Sequence, residues 1–134
     1  MSTLVTATVK SNSSSPIAFQ NSSGTEIGRM CRAFVNFNGT GVVAINAQFN
    51  VSSITDNGNG DYTLNFTNAL SDQYYSTVGS CNRTSGQGDG ILSLYATNGS
   101  GTLVDPTTTA ARINTSRFNN SDVDYTYICV AVFR

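Results

Sequence analysis

The side chains of this sequence that could do acid–base chemistry are its carboxylates, because the chain contains no histidine. Without histidine, Ser-His-Asp and Cys-His catalysis are excluded, and the commonest zinc ligand is missing. Two carboxylates can hydrolyse a glycosidic bond. The candidates are Asp56, Asp61, Asp72, Asp89, Asp105, Asp122 and Asp124. Most of them fall in predicted turns, where aspartate bonds to the nearby backbone. We therefore expect no catalytic residues and no enzyme activity.

The segment 56–61, Asp-Asn-Gly-Asn-Gly-Asp, has the density of oxygen atoms that calcium prefers. An EF-hand loop, however, needs an oxygen ligand at its third position and a glutamate at its twelfth. Gly58 and Thr67 occupy those positions here. Asparagine and glycine also tolerate the positive φ of tight hairpin turns. The segment therefore predicts a hairpin turn, and we expect neither a metal nor a cofactor. Asp122 and Asp124 flank Val123 and could point outward as a pair, and the alternative interpretation is the start of a solvated strand.

Cysteine and tyrosine offer two further kinds of site. The three cysteines are Cys31, Cys81 and Cys129. Their odd number and wide spacing fit neither a disulfide framework nor a zinc site, so we expect free thiols that act as small buried groups. A platform for sugars could be built from the aromatic side chains of Tyr74, Tyr75 and Tyr95. Burial in a core or an interface is the commoner role of such residues, and we expect it here.

The elements that would position these residues are β-strands. Apolar side chains alternate with polar or small ones from Val43 to Val51, which predicts a strand with one buried face. The inward positions would be Val43, Ile45, Ala47, Phe49 and Val51. Alternation resumes after the 56–61 turn, with Tyr62, Leu64 and Phe66 inward. With a short strand at residues 33–37, this region predicts a three-stranded antiparallel meander.

Further strands are predicted at residues 74–81, 91–96, 111–115 and 123–133, with loops at 83–90 and 98–109. Charged helix formers are scarce, with one glutamate and one lysine, whereas Asn, Ser and Thr supply 49 of the 134 residues. Short strands at regular spacing predict an all-β fold, an antiparallel β-sandwich or barrel of about seven or eight strands. The end of the last strand is apolar on both faces, which indicates a central strand or a subunit interface.

Residues 1–28 differ from the body at residues 29–134. They are polar, contain a Ser/Asn-rich spacer and have few apolar anchors, so we expect an extended N-terminal arm that is ordered by docking on a partner or a neighbouring subunit. The predicted interface residues of the arm and of the last strand are Leu4, Val5, Val9, Ile17, Phe19, Ile128, Val130 and Val132.

The composition also limits the partners. The formal net charge is −1, from seven basic and eight acidic residues, so we expect no nucleic-acid partner, which would need a basic face. No apolar run approaches the roughly 18 residues of a membrane span, and we expect no membrane partner. The N-terminal sequence lacks the layout of a signal peptide, which predicts synthesis in a cytoplasm.

One long stretch resembles a known family. The segments Arg32–Gly41 (RAFVNFNGTG) and Phe49–Phe66 (FNVSSITDNGNGDYTLNF) are similar to a module common in structural proteins of tailed bacteriophages, especially cyanophages. The similarity spans about residues 29–80, and the opening Met1–Leu4 is also similar. Members of that family are usually described as tail-fibre or virion structural proteins. The resemblance implies no catalytic motif and a location in the virion after synthesis in the host cytoplasm.

Three roles follow as expectations. The first is a capsid decoration (cement) protein, a homotrimer that binds the major capsid protein or other virion proteins and stabilises the head. The alternative is a tail-fibre or tail-tip module that binds the host surface, with a surface glycan as a possible ligand and with recognition by exposed loops. The third is a carbohydrate-binding module, which the absence of tryptophan disfavours.

Overall fold

The computed structural model describes residues 6, 8–10, 17–82, 90–94, 101–119 and 121–134. Within these residues the chain forms ten β-strands and no helix, which confirms the predicted all-β fold. The chain divides into two compact units, Met1–Met30 and Cys31–Arg134. The first unit extends two residues beyond the predicted arm, 1–28.

The first unit contains a small antiparallel hairpin, β1 (Phe19–Gln20) and β2 (Glu26–Gly28). Its turn forms because the Asn21 side chain accepts hydrogen bonds from the backbone N–H groups of Ser23 and Thr25, and because Gly24 adopts a positive φ of 79°. None of the described residues in this unit is buried. The hairpin therefore lacks a core of its own.

The second unit contains eight strands in two antiparallel sheets of four. The strands are β3 (Cys31–Asn38), β4 (Ala44–Phe49), β5 (Val51–Gly58), β6 (Asp61–Phe66), β7 (Ser76–Asn82), β8 (Gly90–Leu94), β9 (Ala110–Arg117) and β10 (Tyr127–Phe133). The first sheet has the order β4-β3-β10-β7, and the second sheet has the order β5-β6-β9-β8. The sheets are arranged like a sandwich, and β10 is a central strand of the first sheet.

The hydrophobic core draws on the inward faces of both sheets. Tyr62, Leu64 and Phe66 are buried as the alternation predicts. The ring of Tyr62 meets Phe37 of β3 edge-on, with 5.1 Å between the ring centroids, which links the two sheets through an aromatic pair. The largest fully buried side chains are Tyr62, Tyr125, Phe37, Leu64, Ile113, Ile128, Val35, Val51, Val132 and Thr115.

The predicted three-stranded meander is wrong, because the chain changes sheets at Asn50. This residue has a φ of 55°, a left-handed conformation that ends β4 at Phe49 and lets β5 begin at Val51. The strand that pairs with β6 is therefore β5, which belongs to the second sheet, and not the predicted strand at residues 43–51. Asparagine suits this corner because it tolerates the left-handed region better than most residues.

The buried face predicted for residues 43–51 is also wrong in part, because of one extra residue in β4. Phe37 lies opposite Ile45, but the preceding residue of β3, Asn36, lies opposite Ala47, which leaves Asn46 unpaired in a β-bulge. A shift of one residue moves every following side chain to the other face. Phe49 is therefore 54% exposed instead of buried.

We predict that Asn50→Ala lowers the free energy of unfolding by about 2–4 kcal/mol. The Asn50 Nδ2 donates to the carbonyl oxygens of Arg32 and Asn68, and its Oδ1 accepts from the Asn68 N–H at 2.8 Å, so alanine loses these bonds and is strained in the left-handed conformation. Asn50→Gly also loses these bonds but avoids the strain, so this variant should be about 1 kcal/mol more stable than Asn50→Ala. Urea denaturation measures both values, and an Asn50→Ala protein as stable as the wild type would contradict the importance of this corner.

Candidate interaction surface

The two faces of β10 have different environments. Ile128, Val130 and Val132 are buried in the core of the second unit, with at most 3% of each residue exposed. They have no surface left for a partner, so the predicted interface cannot include them. The exposed face of β10 is the opposite one, with Tyr127 and Phe133 exposed and the side chains between them half-buried. The sequence showed that both faces of this strand are apolar but not which of them packs into the core.

A row of apolar side chains crosses the outer face of the first sheet at right angles to the strands. Phe49 lies opposite Phe34, Phe34 lies opposite Ala131, and Ala131 lies opposite Val78. The two phenylalanine rings stack with 6.3 Å between their centroids. Together with Tyr127 and Phe133, these side chains form what we call the apolar face. Its members are Phe34, Phe49, Val78, Tyr127, Ala131 and Phe133.

The polar groups in the middle of the apolar face bond to each other. Asn36 lies between Ala47 and Cys129 in the next row of the sheet. Its Nδ2 lies 2.8 Å from Cys129 Sγ, to which it donates, and its Oδ1 accepts from Asn46 Nδ2 at 2.8 Å. These polar groups already have hydrogen-bond partners within the sheet, so excluding water from them costs little in lost hydrogen bonds.

The outer face of the second sheet is mostly polar. Arg112 binds Asp61 with two hydrogen bonds, one of 2.8 Å from Nε and one from the terminal nitrogen. Asn65 donates to the hydroxyls of Ser53 and Thr55 on the neighbouring strand. Such a ladder of polar pairs is stable in contact with water. The sandwich therefore has one outer face that is mostly polar and one that is crossed by apolar side chains.

The first unit also exposes apolar side chains. Val9 and Phe19, both predicted interface residues, are exposed, and so are Ile27 and Met30. Ile17 is half-buried. Two further predicted interface residues, Leu4 and Val5, lie outside the described residues. The first unit thus presents large apolar groups without covering them.

The acidic segment 56–61 forms the predicted turn between β5 and β6. The Asp56 side chain accepts from the N–H of Gly58, and Gly60 adopts a positive φ of 68°. The residues that the structure describes contain no group of three or more metal-binding side chains.

Asp122 and Asp124, considered above as an outward pair, each have a partner within the fold. Asp122 accepts from Asn114 Nδ2 at 2.9 Å, and Asp124 is bound to the turn.

Asp124 fastens the β5–β6 turn to the core, a role that the sequence did not reveal. Its Oδ1 accepts from the N–H of Gly60 at 2.7 Å and from the hydroxyl of Tyr62 at 2.6 Å. A Cβ on residue 60 would lie 2.3 Å from the carbonyl oxygen of Thr115, so only glycine fits at this turn. Burial, together with the hydrogen bond and the negative charge of Asp124, raises the pKa of Tyr62 far above its usual value. The hydroxyl therefore keeps its proton and remains a donor.

We predict that Tyr62→Phe lowers the free energy of unfolding by about 1–3 kcal/mol, because Asp124 loses a donor in a partly buried site. Tyr74→Phe is the matched control, since Tyr74 is 77% exposed, and it should change the stability by less than about 0.5 kcal/mol. Urea denaturation at neutral pH measures both. Equal effects of the two substitutions would show that the Tyr62–Asp124 bond contributes nothing.

The tyrosines and cysteines have no common site. Tyr75 is buried as expected, and its hydroxyl donates to the carbonyl oxygen of Ala110 at 2.9 Å. Tyr74 is exposed and does not belong to the core, so these two neighbours do not form one platform, and Tyr95 lies outside the described residues. All three cysteines are free thiols. Cys81 alone is buried, and burial raises its pKa to about 11. Cys31 and Cys129 are half-buried, so the expectation of burial holds in full only for Cys81.

Among the residues that the structure describes, no helix is long and apolar enough to cross a membrane. No protein-family model, no curated protein and no solved structure matches this chain.

Proposed function

We propose that this protein is a structural component of a tailed-bacteriophage virion, where it forms a homotrimer that decorates the capsid and stabilises the head. The observation that carries the proposal is the apolar face of the first sheet, because an uncovered sheet face of this kind is typical of a protein that works in an assembly. The resemblance of residues 29–80 to virion proteins supplies the kind of assembly.

The hairpin of the first unit supports the same role. An isolated two-stranded hairpin is only marginally stable in water. This one has no buried residue among those described and exposes Phe19 and Ile27, and the nearby Met30 is exposed as well. Docking on the capsid or on a neighbouring copy would bury these side chains. A partner that binds only the folded protein stabilises the fold by mass action. Because such coupling is reciprocal, binding also stabilises the capsid by the same coupling free energy.

The low charge of the chain is consistent with contacts through apolar surface. The formal net charge is −1, and six charged side chains neutralise each other in the ion pairs Arg29–Glu26, Arg112–Asp61 and Arg134–Asp72. Electrostatic steering therefore contributes little to assembly. The main driving force for assembly is then the burial of apolar area, which contributes roughly 25 cal/mol per Å².

A tail-fibre or tail-tip module that binds the host surface is the second candidate. The description usual for the resembling family favours it, and so do two exposed aromatic side chains, Tyr74 and Phe118. Exposed aromatic rings are common contacts for glycans, since their flat faces pack against sugar rings. This role would place the protein at the tail, and the substitutions Tyr74→Ala and Phe118→Ala would then weaken adsorption. The third candidate, a soluble carbohydrate-binding module, would use the same two rings without any virion.

We predict that the protein is found in purified particles of a phage that encodes it and that antibodies label the heads. Mass spectrometry of the particles and immunogold electron microscopy provide the measurements. Particles assembled without the protein should lose infectivity faster on heating or osmotic shock, because the head loses the stabilising contacts.

The same particles serve as the control for the second candidate. Under the proposed role they adsorb to host cells at the wild-type rate. Antibody label on the tails, together with impaired adsorption and unchanged heat resistance, would replace the decoration role by host recognition. Absence of the protein from purified particles would overturn both, and glycan binding by the purified protein would then favour the third candidate.

A further inference from the structure

We propose that copies of this chain bind each other through the apolar face of the first sheet. The proposal deepens the homotrimer proposed above by naming its contact surface, and it rests on the proposed function only for the number of copies. The residues that carry it are the central row Phe49, Phe34, Ala131 and Val78.

The pleat of the sheet explains why this surface exists. Because β10 turns Ile128, Val130 and Val132 into the core, the residues between them must point outward. The same alternation in β3 buries Ala33, Val35 and Phe37 and leaves Phe34 outside. The bulge at Asn46 adds Phe49 to the same side. The apolar face is therefore continuous over the four strands of the sheet.

Its chemistry fits a second copy of the chain. The four strands of the first sheet contain a single charged residue, Arg32, so two such faces can meet without strong repulsion between like charges. A strongly charged partner would lose hydration without gaining an ion pair. The central polar groups of Asn36 and Cys129 are already bonded to each other, so a dry contact leaves them satisfied.

The size of the face predicts the strength of the contact. Four strands about 4.8 Å apart and about seven residues long give the whole outer side of the first sheet, which includes the apolar face, a footprint of roughly 19 by 23 Å, or about 440 Å². A standard interface buries about 800 Å² on each partner, so this side of the sheet supplies at most about half. We therefore expect reversible association that depends on concentration. In a threefold arrangement each copy would contact two neighbours around the axis.

The test is the oligomeric state of the full chain in solution. Sedimentation velocity over a dilution series should show the mass rising above the 14.2 kDa of one chain as the concentration increases. Phe34→Ser combined with Phe49→Ser should raise the dissociation constant at least about thirtyfold, because two large apolar side chains leave the contact. Val78→Ser, on the opposite edge of the sheet, is a second variant with a smaller effect in the same direction.

Phe118→Ser is the matched control, because Phe118 is an equally large apolar residue, 82% exposed, and lies outside the apolar face. It should leave the dissociation constant unchanged. Circular dichroism and urea denaturation confirm that each variant is folded. A wild-type chain that stays a monomer at every concentration overturns the proposal, even if it binds the major capsid protein. So does association that survives the double substitution, or association that Phe118→Ser weakens equally.

The proposed contact surface and the proposed virion role can each be refuted without refuting the other. Association that is lost in the double variant, for a protein absent from phage particles, supports the surface and removes the proposed function. A protein present on heads whose apolar face is not needed for self-association supports the function and removes the surface. A dimer supports the surface and contradicts the homotrimer.

Discussion

The arrangement of the second unit depends on one backbone constraint, the left-handed conformation of Asn50. Between Phe49 and Val51 the chain has no room for a loop, so a single residue must carry it from one sheet to the other. The side chain of Asn50 holds that conformation by bonding to the backbone of Arg32 and Asn68, which lie at the start of β3 and just beyond the end of β6. One asparagine thus joins the two layers at a corner and fixes which strands share a sheet.

Once the corner is fixed, the alternation of the strands divides the side chains between the core and two very different outer faces. The second sheet covers its outer surface with paired polar groups such as Arg112 and Asp61. The first sheet carries aromatic and aliphatic groups on its outer surface. Because the interior of the sandwich is already filled, those groups cannot be buried within the second unit. The asymmetry is a property of the fold, and it is the reason for proposing an assembly.

The sequence predicted the features that depend on local pattern. The all-β fold, the inward Tyr62, Leu64 and Phe66, and the turn at 56–61 follow from period-two alternation and from Asn-Gly chemistry. Features that depend on pairing between strands were not predictable. The sequence of residues 43–51 is compatible both with a straight strand and with a bulged strand followed by a corner, and only the register with β3 distinguishes the two. For the same reason the sequence did not show which apolar face of β10 is buried in the core and therefore closed to a partner.

The unpaired Asn46 has a consequence for how such a protein can evolve. Removal of this one residue would restore even pairing along the strand, with no change in the number or order of strands. Ala47 and Phe49 would keep their partners Asn36 and Phe34, so a deletion of one codon would leave both phenylalanine rings on the outer surface. Gain or loss of one residue at this point is therefore a change in length that the strand can absorb without altering the surface of the sheet.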